Sequence, residues 1–317
     1  MATQWLRRRA WLLACSSAVL LAACGGGTVE SQFKPSRLVA FGDAFADLGQ
    51  NGARYTINDG SQNNWTLTVA NAYGRSLTTS TAGGLSFATG NARISAEPDA
   101  GGGTATPTLV EQVDAFLAAS TPTASDMLLV SAGTSDVIVQ AKAVIDGSRG
   151  DADALAAVSQ AARDYGAQVR RLVNAGARHV VVVGPYNLGR SPWAIETSRQ
   201  SLLQALSSRF NDQFLVSIVD LGDSVLYVDA ALYFNLVTAS PGSYDLSNVN
   251  NAACTSVDAG AGIGTGSGQV NSNLCTTSTL LSGIDRSKYL FADRVYPTPR
   301  GQQLFGDFAV GRIRERW

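Results

Sequence analysis

Histidine is almost absent from this chain: one residue, His179, in 317. That scarcity excludes any site needing two imidazoles and leaves one candidate for histidine-based proton transfer. Charge is also sparse. Acidic and basic residues make up 15% of the chain, and the formal net charge is −1. A near-neutral balance gives no electrostatic case for binding nucleic acid or an anionic membrane. Lysine is limited to Lys34, Lys142 and Lys288. No Gly-Lys-Ser/Thr phosphate loop and no G-x-G-x-x-G stretch occurs, so a nucleotide cofactor has no support. No cofactor and no metal site is expected.

Long apolar runs are missing too, with one short exception at the start. Arg7-Arg8-Arg9 precede the apolar stretch 10–21, which is too short for a stable transmembrane helix and reads as an export signal. It ends in Leu21-Ala22-Ala23-Cys24, the pattern of a bacterial lipobox. Residues 1–23 are therefore expected to be a lipoprotein signal peptide, with Cys24 lipidated and 24–36 a flexible linker. Gly25 after that cysteine favours the outer membrane of a bacterial cell envelope, the lipid being the chain's sole membrane contact. Of the four cysteines, Cys15 falls in the discarded segment and Cys24 carries lipid, which leaves Cys254 and Cys275. In an exported chain an even pair reads as a disulfide. A metal pair or two free thiols are the poorer alternatives, because no second Cys pair or His lies nearby to complete a zinc site.

From Arg37 onward the pattern alternates strands and helices. Strands are expected at 37–41, 127–133, 179–185 and 216–221. Helices are expected at 65–73, 151–174 and 196–214, with a last one from about Pro299. Such alternation implies a mainly parallel sheet covered on both faces. Functional residues of such sheets gather beyond the carboxyl ends of the strands. The Gly-, Ser- and Asn-rich segment 239–286 is an insertion within a single domain, 37–317.

Five segments carry a family resemblance. They are Leu38-Val39-Ala40-Phe41-Gly42-Asp43-Ala44-Phe45-Ala46-Asp47-Leu48-Gly49; Phe87-Ala88-Thr89-Gly90-Asn91-Ala92-Arg93; Gly133-Thr134-Ser135-Asp136; Gly184-Pro185-Tyr186-Asn187-Leu188-Gly189-Arg190-Ser191-Pro192; and Leu290-Phe291-Ala292-Asp293-Arg294-Val295-Tyr296-Pro297-Thr298. In this order they resemble the sequence blocks of the GDSL (SGNH) lipase/esterase family. Pro241, Tyr244, Asn248 and Cys254 resemble its bacterial phospholipase/lecithinase-like branch. The resemblance implies an α/β three-layer sandwich around a flavodoxin-like, mainly parallel five-stranded sheet. It also implies a serine esterase site: a Ser nucleophile, a His base oriented by Asp, and an oxyanion hole of Ser N–H, Gly N–H and Asn side chain.

Matched position by position, the reactive groups are replaced. Ala44 stands at the nucleophile and Tyr296 at the base. Ser135 stands where the Asn donor belongs, whereas Asp293 and Gly90 are retained. Alanine has no nucleophilic atom, and a phenol with an ordinary pKa near ~10 accepts no proton at neutral pH. His179 sits at the entrance of the fourth strand of the family pattern, at the opposite, amino-terminal end of the sheet. Asp43, Asp47, Asp136 and Asp293 read as turn braces and helix caps in preference to a metal or acid–base cluster. Trp65 and Trp193 read as core. The expectation is an exported, non-hydrolytic member of the fold that binds a glycan, a lipid or an envelope protein. The alternative is a carboxylic ester hydrolase working through another arrangement, such as Asp293 activating water or Ser135.

Overall fold

The computed structural model describes residues 33–317; Cys24 and the expected signal segment lie outside the described residues. Four short strands build the central sheet: β1 (Leu38–Gly42), β2 (Met127–Ser131), β3 (His179–Val183) and β4 (Val225–Tyr227). They lie in the order β1-β2-β3-β4, every neighbouring pair parallel. β1 and β2 are buried along their whole length and β3 everywhere except His179, which is why they read as near-continuous apolar runs.

A fifth strand was expected, and among the described residues the central sheet has four. The fifth position is nevertheless occupied. Residues 85–89 run parallel to β1 through bonds Ala40 N–H to Leu85 O, Phe87 N–H to Ala40 O and Thr89 N–H to Gly42 O. The segment forms only an isolated bridge, Ala40 to Ser86, because its outer side turns back at once onto Thr78 and Ser80.

Helices flank the sheet in two groups. α1 (Trp65–Ala72) packs on the terminal helix α8 (Pro299–Arg316). α2 (Leu109–Ala119), α3 (Thr134–Ile145), α4 (Asp151–Asn174) and α6 (Gln200–Ser217) pack on one another, and the short α5 (Pro192–Glu196) and α7 (Ala230–Ala239) complete the set. Local chemistry sets their ends. Thr108 and Glu111 form a reciprocal capping box on α2. Asp151 and Asp153 lie in the first turn of α4, and Gly176, at φ +121°, follows its end. Pro299 opens α8 behind the Thr298 cap. Tyr165 of α4 stacks on Phe214 of α6 at 4.0 Å and donates its hydroxyl to the Val130 carbonyl, tying helix to strand. Trp65 and Trp193 are both buried in the core.

Three local expectations are corrected. The strand expected at 216–221 is the last turn of α6 followed by a 3-10 turn at Val219–Leu221, and the strand comes later, at β4. The β-branched Val216 and Val219 that suggested a strand are exposed. The helix expected across 196–214 is split into α5 and α6 at Ser198, which has φ +55°. The expected linker is docked from Phe33 onward. Phe33 N–H bonds the Trp317 carbonyl, and Ser36 N–H bonds Ser125.

The insertion has structure of its own. β5 (Asn248–Ala252) pairs with β8 (Tyr289–Phe291), and between them β6 (Val257–Asp258) pairs with β7 (Gln269–Val270). Cys254 and Cys275 are bonded, with Cα atoms 6.0 Å apart.

Candidate active site

β1 delivers the first block to the carboxyl end of the sheet through a turn only glycine permits. At Gly42, φ is +137°, and a Cβ there would lie 1.8 Å from the Ser131 carbonyl oxygen. Gln112 of α2 clamps the turn, accepting from Gly42 N–H and donating to its carbonyl. Asp43 follows, and its buried carboxylate accepts from Phe45 N–H at 3.1 Å and Thr134 N–H at 2.9 Å. The second contact joins the β1 turn to the start of α3, the segment carrying Ser135.

The other acids are held in the same way. Asp47 accepts from Gly49, Gln50 and Gly90 N–H groups at 2.8 to 2.9 Å. Asp136 takes Ile94 N–H at 2.9 Å and Arg93 Nε at 3.2 Å. Asp293 takes Val295 N–H at 2.8 Å, Tyr296 N–H at 2.6 Å and Ser272 N–H at 3.0 Å. Burial raises the pKa of all four against these hydrogen bonds, to about 7 for Asp43 and about 6 for Asp47. Each carboxylate thus braces a turn. The bonds on Asp293 come from its own loop and from the disulfide-closed insertion.

The structure does bring the family positions Ala44, Gly90, Ser135, Asp293 and Tyr296 to one end of the sheet, and all are buried. Ala44 and Tyr296 are each 1% exposed, and Ser135 and Asp293 are 0%. The Tyr296 ring is packed edge-on to Tyr55 at 5.6 Å between centroids. The Tyr55 ring in turn lies directly on Gly90, where a Cβ would meet it at 1.8 Å. Gly90's N–H, an oxyanion donor in the family arrangement, is already bonded to Asp47. The hydroxyls of Tyr296 and Ser135 face each other, yet neither reaches a hydrogen-bond partner. Burial, with Asp43 and Asp293 nearby, pushes the Tyr296 pKa far above its ordinary value, so its phenol stays protonated. Tyr55 was not singled out in the sequence; it lies between blocks, and nothing local marks it as a partner of Gly90.

The insertion closes over this end. Asn91 donates to the Gly262 carbonyl, Asn273 to the Ala53 carbonyl, and Asn58 N–H to the Cys275 carbonyl. His179 lies at the other end of β3, stacked on Phe33 at 3.6 Å and edge-on to Trp317 at 4.8 Å. Burial lowers its pKa. Among the described residues no group of three or more His, Cys, Asp and Glu is placed to hold a metal ion, and no helix is long and apolar enough to cross a membrane.

A parallel sheet flanked by helices, with its family blocks at the carboxyl ends of the strands, defines an α/β scaffold of the SGNH-hydrolase kind. The chain belongs to the GDSL-like lipase/acylhydrolase family, whose description matches residues 38–308. It is 28% identical over 166 residues to an uncharacterized protein from the trpE-trpG intergenic region of Pseudomonas putida, covering 52% of this chain and 26% of that one. It is 28% identical over 149 residues to a GDSL esterase/lipase of Arabidopsis thaliana, covering 42% and 37% respectively. With Esterase EstA of Pseudomonas aeruginosa the identity is 27% over 145 residues, covering 44% of this chain and 20% of the esterase. The chain thus spans 20% to 37% of the length of these relatives.

Proposed function

We propose that this chain is a non-hydrolytic member of its family, a binding protein whose ancestral ester site is closed. The observation that carries this reading is the packing at the family positions. Where ester hydrolysis needs an accessible hydroxyl beside an imidazole, there is a buried methyl group, Ala44, beside a buried phenol, Tyr296. Losing such a triad costs on the order of 10⁶ in kcat. The oxyanion site is weakened independently, because Gly90 N–H serves Asp47 and Ser135 has replaced the longer amide. The partner would be a glycan, a lipid or a protein of the bacterial envelope, and lipid attachment at Cys24 would hold the chain at the outer membrane. Those assignments rest on the sequence patterns described above.

Family membership and relatives named as esterases favour a second reading, a carboxylic ester hydrolase with a different arrangement. Against it, Asp293 is engaged by three backbone N–H groups and Ser135 is sealed beneath Tyr296, so neither is presented to an ester. Hydrolysis of short p-nitrophenyl esters by the purified chain, beside an active relative, separates the two. The non-hydrolytic reading expects the buffer rate.

A further inference from the structure

A cavity of about 370 Å³ lies on the outer side of the first-block turn, next to Leu48 and Gly49. Its apolar wall is built by Leu48, Leu67 of α1 and Leu77. Arg54 and Gln62 stand at its polar side. Arg54 is half-buried, and among the described residues no carboxylate lies within ion-pair distance of it. The two nearest acids are engaged elsewhere. Asp59 pairs with Arg286 at 3.1 Å, and Asp47 accepts three backbone N–H groups. One guanidinium nitrogen donates to the Ser61 carbonyl oxygen. Burial lowers the Arg54 pKa, with Asp59 and Asp47 opposing it, yet an arginine remains charged. A half-buried cation with spare donors calls for an anion.

The loop that presents Arg54 is fixed. Arg54 N–H donates to the Asn58 side chain and Asn58 donates back to the Arg54 carbonyl, both at 3.0 Å. Asn58 N–H is also bonded to the Cys275 carbonyl of the insertion. On the far wall Gln50 pins Ser80 and Ser86, holding the turn that follows Leu77. A rigid cation beside a rigid apolar wall is preorganised for a ligand with one charged end and one greasy end.

We propose that this cavity binds an amphiphilic carboxylate, a short- to medium-chain fatty acid, with its head on Arg54 and its chain along Leu48, Leu67 and Leu77. The planar guanidinium fork matches a planar carboxylate in two parallel hydrogen bonds. A phosphate dianion would need a second cation, and Arg286 is paired with Asp59. The inference rests on the binding half of the proposed function and names its ligand class; it does not require the ester site to be silent.

The test is calorimetric titration of the purified full chain with octanoate in detergent-free buffer, with acetate as the head alone and octan-1-ol as the tail alone. Saturable one-to-one octanoate binding is expected, at least about tenfold tighter than either control. Arg54→Gln should weaken octanoate about tenfold or more, with Arg54→Lys in between, and Leu67→Ser should weaken it while keeping the preference for the charged head. No saturation by millimolar octanoate in the wild type, octan-1-ol binding as tightly as octanoate, or an unaltered affinity in Arg54→Gln would each overturn the proposal. Ester hydrolysis by the wild type would sink the non-hydrolytic reading and leave octanoate binding standing; failed octanoate binding would do the reverse.

Discussion

The two ends of the central sheet treat their ionisable groups in opposite ways. At the carboxyl end, Asp43, Asp47, Asp136 and Asp293 are buried, and each is satisfied by backbone N–H groups, with Arg93 added at Asp136. At the amino end, the chain's one imidazole is sandwiched by rings, and its Nδ1 has no partner. The acids are what a family signature preserves, and the imidazole is what the chemistry would need. Here the acids serve the backbone, and the imidazole serves the docking of Phe33 and Trp317. Retained acidic residues therefore report retained turns, and they carry no information about turnover without the groups that react.

The sharpest way to break this comparison is to hollow out the carboxyl end. Tyr296→Ala removes a fully buried ring, so it should destabilise the chain by about 3–5 kcal/mol in urea unfolding, as large aromatic truncations do. A cost below about 1 kcal/mol would mean that the ring does not fill the site. Next comes the covering insertion. Replacing Cys254 and Cys275 together by serine should cost about 3 kcal/mol in the chain-entropy account. It should also raise hydrogen exchange at Ser272 N–H, which bonds Asp293.

The buried acids make a pH prediction of smaller size. Asp43 and Asp47 have folded pKa values raised to about 7 and about 6 from an ordinary 3.8, chiefly by burial. The folded state therefore holds protons that the unfolded state has lost. Their stabilising contribution is full below about pH 4 and is lost as pH rises through 6 and 7. Stability should fall by roughly 2 kcal/mol between pH 5 and pH 6. Asp43→Asn should flatten that slope, and an unchanged slope in the variant would assign it elsewhere. The smallest effect belongs to the amino end. His179→Ala should cost about 1 kcal/mol through lost ring packing and should alter no activity.

Much of this was legible in the sequence because its signals are local or ordered. The apolar runs at β1, β2 and β3, the Gly176 stop and the five blocks in family order placed the fold and put Ala44, Ser135, Asp293 and Tyr296 at one end. The disulfide followed from counting cysteines. The missed features depend on contacts distant in sequence. Tyr55 seals Gly90 from a loop between blocks, and Asp47 takes the Gly90 N–H across 43 positions. Val216 and Val219 looked like a strand because β-branching reports propensity, whereas their exposure is set by where α6 ends. The docking of Phe33 could not be read from a polar, linker-like stretch, because its partners are His179 and Trp317.

The central claim is that the carboxyl end of the sheet keeps its form without its chemistry. The most direct measurement is p-nitrophenyl butyrate hydrolysis by the wild type, Ala44→Ser, and Ala44→Ser/Ser135→Asn/Tyr296→His, beside wild-type Ser135→Ala and Asp293→Asn controls. The account predicts the buffer rate for the wild type and for Ala44→Ser, since the buried Tyr296 phenol cannot take the serine proton. It predicts measurable turnover only once the imidazole and the amide are restored. Wild-type hydrolysis well above buffer that survives Ser135→Ala and disappears in Asp293→Asn would contradict it and assign the chemistry to water activated by Asp293.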